Sequence, residues 1–183
     1  MRNITCIKLL AGPVAAFLLA GNVFAQSKPP GNWPLPQGCY FRNYLAAHVA
    51  KHPEQVVKEI SVRFHIWERD PFAGIHLKTT NQGHMRQSGQ GGQIFEEGSE
   101  CILEPWPKGL GAKIGWVCLS STNSGGIYLQ RFDDDMLIFK TKGFVLGESE
   151  SLRGVMDLAE LPDKWVTYKL FRVDDAQCVY QEG

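Results

Sequence analysis

The stretch Glu59-Ile60-Ser61-Val62-Arg63-Phe64-His65-Ile66-Trp67 decides the fold class. Ile60, Val62, Phe64 and Ile66 alternate with Glu59, Ser61, Arg63 and His65, the period of a strand with one buried face. The four apolar residues are expected on a core, with Glu59, Arg63 and His65 outward. A slip of one residue would turn the whole apolar set to solvent, so the pattern also fixes register.

Downstream of this strand the chain keeps the same character. Residues 74–79 form a second candidate strand, with Ile75 and Leu77 on one face. Further candidates lie at 93–96, 100–103, 112–120, 126–132, 136–141, 154–158 and 165–173. Gly125-Gly126 and Asp133–Asp135 supply turn chemistry between them. Residues 82–92, rich in Gly and Gln, read as a mobile loop. Upstream, residues 41–52 read as a short helix, with Phe41, Leu45 and His48 on one face and Pro53 as its stop. The expected fold is mainly β: an antiparallel barrel or sandwich of about eight strands with one short N-terminal helix.

The first 25 residues differ in kind. Arg2 and Lys8 precede the apolar run 9–20, and Val23-Phe24-Ala25 places small residues where a signal peptidase cuts. The run is short for a membrane span, so a cleaved secretory signal is expected. Residues 26–38 carry Pro29, Pro30, Pro34 and Pro36 and read as an extended tail. Residues 39–183 then form a single β-rich domain. Cleavage after Ala25 leaves 158 of the 183 residues, with 17 basic against 19 acidic side chains. That balance argues against a nucleic-acid partner, which needs a basic excess. No second apolar span follows, so the mature chain is expected not to span a membrane, and its location to be periplasmic or secreted.

Cys39, Cys101, Cys118 and Cys178 remain after cleavage. Four cysteines in an oxidising compartment imply two disulfides, with three possible connectivities. No C-x-x-C spacing points to zinc. In a closed sheet the two ends of the domain meet, which favours Cys39–Cys178. Cys101–Cys118 then joins neighbouring strands across the turn-rich 105–111 connection.

The opening Cys39-Tyr40-x-Arg42-x-Tyr44-x-x-x-His48-x-Ala50-x-His52-Pro53-x-Gln55-x-Val57 resembles that of a family of small secreted alphaproteobacterial proteins of unknown function. Their openings have the form CYxRxYxxxHLAxHPxQxV. The resemblance singles out Tyr40, Arg42, Tyr44, His48 and His52 as structural or binding residues. It implies no activity.

Candidate chemistry is sparse. His48 and His52 have the i,i+4 spacing of a helical metal pair, but Val49 stands where a zinc protease needs Glu. The expectation is structural: His48 packs under the sheet and His52 hydrogen-bonds backbone at the helix end. Asp133-Asp134-Asp135 suits a solvated hairpin turn better than a Ca²⁺ site, because successive strand side chains diverge. Ser88–Gly92 lacks the Lys and the following helix of a phosphate loop. No G-x-S-x-G elbow is present. No metal, cofactor or catalytic residue is assigned.

Ser124-Gly125-Gly126-Ile127-Tyr128 resembles the S-G-x-x-Y loop of small β-barrel periplasmic lysozyme inhibitors, and Trp106-Pro107-Lys108-Gly109 their W-x-K-G element, in reversed order. Two classes of function follow. The first is a non-enzymatic binding module, taking a small apolar ligand or an envelope protein such as a lysozyme. The second is a hydrolase whose site is assembled in space, which would show a pocket with a His–carboxylate or His–Ser contact.

Overall fold

Ten strands and two short helices occupy the residues that the computed structural model describes: 37–68, 70–121, 125–147 and 154–178. The signal segment, most of the proline-rich tail and Ser124 lie outside them. The strands are β1 (Gly38–Asn43), β2 (Val57–Trp67), β3 (Asp70–Thr79), β4 (Ile94–Pro105), β5 (Ile114–Leu119), β6 (Gly126–Phe132), β7 (Met136–Thr141), β8 (Val145–Leu146), β9 (Met156–Asp157) and β10 (Val166–Val173). Helix α1 is Ala46–Val49 and α2 is Gly83–Gln87; a 3₁₀ turn follows at Asp175–Gln177.

Eight strands close into an antiparallel barrel in the order β1-β10-β7-β6-β5-β4-β3-β2, while β8 and β9 form a separate small ribbon. Sequence alternation therefore yields a barrel, not a sandwich. Each strand from β2 to β7 pairs with its chain neighbour. Only β1, paired with both β2 and β10, ties the two ends together.

The barrel forms because the inward positions are apolar and large. Ile60, Val62 and Phe64 of β2 meet Leu77, Ile75 and Ala73 of β3 across the ladder, and all six are buried. Phe95, Ile127, Leu137, Phe139, Tyr168 and Leu170 fill the interior from the other strands. An eight-stranded barrel is just wide enough for its own side chains, which occupy it here. Register shifts at Val57/Glu59 and Leu129/Arg131 bend the strands locally. Gly125, at φ +100°, bridges to Phe144; a β-carbon there would overlap the Gly143 carbonyl oxygen.

Cys39 bonds Cys178, and Cys101 bonds Cys118, the pairing expected from a closed sheet. The first staples β1 to the segment after β10; the second joins directly opposed residues of β4 and β5. Two disulfides fit an oxidising compartment. Among the described residues no helix is long and apolar enough to cross a membrane.

Several expectations need correction. Residues 41–52 are not one helix: residues 38–43 are strand, and only Ala46–Val49 is helical. The Tyr44 N–H bonds the Lys58 carbonyl on β2, and Leu45 at the helix N-cap offers no side-chain acceptor, so a longer helix has no start. Ile66 does not face the core. It is 54% exposed, because β2 runs past the barrel rim into its hairpin with β3. The 82–92 loop contains α2, anchored by buried Met85. The candidates 93–96 and 100–103 are one 12-residue strand, and 154–158 contributes only Met156–Asp157.

Candidate functional site

A cleft opens where β1 and β10 part. Their register pairs Cys39, Tyr40 and Phe41 with Val173, Arg172 and Phe171, and goes no further. Beyond Phe41, β1 stays with β2, setting Arg42 against Ile60 and Asn43 against Glu59. The chain then turns through α1, whose residues flank the gap. The resulting cavity of about 450 Å³ is lined by Arg42, Tyr44, His48, His52, Glu54, Gln55 and, from the far end of the chain, Glu160 and residues 164–169.

Strand and helix spacing together make a column of planar groups. The Arg42 guanidinium carbon lies 4.8 Å from the Tyr44 ring centre. Tyr44 is 5.1 Å from the His48 ring, and His48 stacks on His52 at 4.3 Å. Arg42 on β1 and Tyr44 just past its end are two residues apart, while His48 on α1 and His52 in the turn after it are four apart. Arg42 Nη1 donates to the Lys169 carbonyl at 3.2 Å and so spans the gap by side chain.

Gln55 is buried and fixes the column's hydrogen bonding. Its amide Nε2 donates to the Val57 carbonyl at 3.0 Å, which turns Oε1 towards His48 Nε2, also at 3.0 Å. An acceptor at that position requires His48 to carry its proton on Nε2. His52 Nδ1 faces Glu54 Oε1 at 3.6 Å, and both side chains are substantially exposed. His48 is therefore half-buried in the cleft wall rather than under the sheet. The His52 side chain stacks and faces a carboxylate instead of bonding backbone at the helix end.

Burial dominates the acid–base character of the cleft. It pushes the Tyr44 hydroxyl up to about 12, with Arg42 opposing and Glu160 reinforcing. Tyr168, which donates to the Leu158 carbonyl at 2.9 Å, is pushed well above the ordinary phenol value, again by burial first. Glu160 is raised by burial and by the nearby Glu54, with His52 and the Tyr168 hydroxyl opposing. Both phenols are thus held protonated, as hydrogen-bonding groups. Among the described residues the cleft lining contains no Ser or Cys. Among the described residues no three His, Cys, Asp or Glu side chains come together as a metal-binding set.

The structure brings together Arg42, Tyr44, His48 and His52 but leaves other candidates elsewhere. Tyr40 points into the barrel, edge-on to Phe64, and its hydroxyl donates to the Asp133 carbonyl. Tyr128 packs edge-on between Trp106 and Trp165. The aspartate run is a hairpin turn: Asp133 accepts the N–H groups of Asp135 and Met136 and pairs with Arg131, which lowers its pKa. Sequence reasoning missed Gln55, Glu160 and Tyr168 as site residues. Gln55 lay within the opening motif, and Tyr168 shares its strand face with Val166 and Leu170, alternating with Thr167 and Lys169, a pattern that marks a buried tyrosine. Nothing local marks Glu160. Comparison with protein-family models, with curated proteins and with solved structures returns no match to this chain.

Proposed function

We propose that the protein is a periplasmic or secreted binding module, not an enzyme, and that its ligand sits in the seam cleft rather than in the barrel interior. One observation carries this reading. Four polar residues of the opening motif, with Gln55, converge on a solvent-open cavity of about 450 Å³ and meet Glu160 and Tyr168 there. That volume lies in the range of small-ligand sites. The interior, by contrast, is occupied by Ile60, Val62, Phe64, Phe139 and Leu170. The lining favours a polar ligand with a carboxylate for Arg42 over the small apolar one expected from the sequence. The raised phenols support binding over catalysis, since neither is activated as a nucleophile or base.

The test is a titration of small carboxylates, neutral amides and amines, followed residue by residue by NMR. Carboxylates should perturb Arg42, His48 and Tyr168, and Arg42→Met should abolish the effect. Perturbation of Phe139 and Leu170 alone would place the ligand in the interior and overturn the reading. Turnover of an ester, peptide or glycoside that depends on His52 and Glu54, a His–carboxylate contact lining the cleft, would replace it with the hydrolase reading.

A second reading has one observation in its favour. Trp106 and Tyr128, from the two fragments that resemble lysozyme inhibitors, are 22 residues apart in sequence, yet their rings meet at 6.1 Å. Tyr128 is half-buried between two tryptophans, which leaves it poorly placed to enter another protein's active site. A lysozyme turbidity assay separates the readings: inhibition lost in Tyr128→Ala would favour this one.

A further inference from the structure

The parting of β1 from β10 leaves a strand edge turned to the cleft. The Arg172 N–H donates to the Asp135 carbonyl, on the β7 side. Backbone groups alternate along an antiparallel strand, so those of Thr167, Lys169 and Phe171 face the other way, towards β1. Phe171 meets Phe41 there, but Thr167 and Lys169 have no strand opposite them among the described residues. In place of a strand, the Lys169 carbonyl takes one N–H from Arg42.

A second cavity of about 490 Å³ shares Arg42, Tyr44 and His48 with the first and continues past Phe171 to Val173. The two adjoin at these side chains and follow the edge as a groove that the Arg42 side chain crosses. Leu45, Leu161, Trp165 and Phe171 line it, four of the nine large apolar side chains exposed among the described residues. Arg42, Lys164 and Lys169 place cations along the same edge, while Glu54 and Glu160 lie at the α1 end. An unpaired strand edge lined by apolar side chains and a bridging guanidinium has the properties of a strand-addition site. Main-chain hydrogen bonds supply affinity there, and side-chain contacts supply specificity.

We infer that this groove takes an extended polypeptide segment of another protein as an added strand alongside Thr167 and Lys169, with a carboxylate of that segment on Arg42 and apolar side chains flanking it. The inference rests on the seam cleft being the binding site and names the class of occupant. Arg42 has donors to spare beyond the one on Lys169, so it need not leave the seam to hold a carboxylate.

The test uses the mature protein and a display library of random linear nonapeptides. Enriched peptides should carry Asp or Glu between apolar residues and lack central proline. Lys169→Ala removes a groove cation but keeps the edge N–H, whereas Lys169→Pro removes both without touching the β7 ladder, so Lys169→Pro should bind about tenfold more weakly than Lys169→Ala. Arg42→Met should weaken it about ten- to a hundredfold, the worth of a charge-assisted hydrogen bond. Two peptides N-methylated at opposite alternate residues should differ sharply, because only one set of amides faces β10. That pair decides the matter on the unmodified protein if Lys169→Pro does not fold. Equal binding by both methylated peptides, or enrichment of no acidic sequences, overturns the inference. Small carboxylates bound through Arg42 with no peptide binding would overturn it too, while leaving the cleft reading intact; failure of both would remove both.

Discussion

The β2–β3 wall and the β1–β10 seam are built on opposite terms. Ten register pairs join β2 to β3, with Ile60, Val62 and Phe64 locked against Leu77, Ile75 and Ala73. Three pairs join β1 to β10, and what lies beyond them is held by a disulfide at one end and by the Arg42 side chain at the other. Along the wall, backbone hydrogen bonding and apolar burial act on the same residues. At the seam they separate, and the gap is occupied by polar side chains that a continuous ladder would have excluded. The polar cluster is thus a consequence of incomplete closure.

The comparison can be broken most forcefully at the staple. Replacing Cys39 and Cys178 together by Ser should cost about 5 kcal/mol on the loop-entropy argument, against about 3 for the Cys101–Cys118 pair, given separations of 139 and 17 residues. Urea midpoints of the two double variants would show it, and equal losses would mean that the seam is not specially dependent on its cross-link. On the wall, Phe64→Ala should cost about 3–5 kcal/mol by cavity formation at a site 2% exposed. A loss below 1 kcal/mol would mean that the barrel interior is not packed as described.

Arg42→Met should cost about 1–2 kcal/mol through the hydrogen bond to Lys169, and should speed amide exchange at Phe171 and Val173 more than on β2. Uniform acceleration would show that Arg42 does not act at the seam in particular. Glu160→Gln should raise stability at about pH 7. Burial and Glu54 raise the folded-state pKa of this carboxyl, so its favourable contribution is present below the ordinary carboxylate range and is lost as pH rises through the folded value. The gain should vanish near pH 3, and a pH-independent difference would assign the effect to packing. Ile66→Ser, at the exposed end of the wall, should stay within about 0.5 kcal/mol.

The wall was legible in the sequence because its physics is local. Alternation at Ile60, Val62 and Phe64 named the inward face, and β6 and β7 emerged with the bounds that their turn residues implied. Ile66 failed because alternation continues past the point where the barrel ends. The seam was illegible for a different reason: it depends on where two strands about 130 residues apart stop pairing, which no local pattern encodes. Tyr40, Arg42 and Tyr44 do alternate with Phe41 and Asn43, a strand signal that the competing spacing of Phe41, Leu45 and His48 masked. Arg42, Tyr44, His48 and His52 stand out in the sequence, but their convergence with Glu160 and Tyr168 requires the closed barrel.

The meander has a kinetic consequence. Every pairing from β2 round to β7 joins neighbours along the chain, so those hairpins can assemble early at little loop-closure cost. The β1–β10 pairing is the one long-range closure among the barrel strands, and β10 must first cross the β8–β9 excursion to reach β7. An almost complete but open barrel, with both terminal edges bare, should therefore precede the native state during refolding. In that intermediate β1 and β10 are each exposed to pairing with another copy. Oxidation of Cys39 with Cys178 then commits the chain to intramolecular closure, so refolding under reducing conditions should favour strand-exchanged dimers as protein concentration rises.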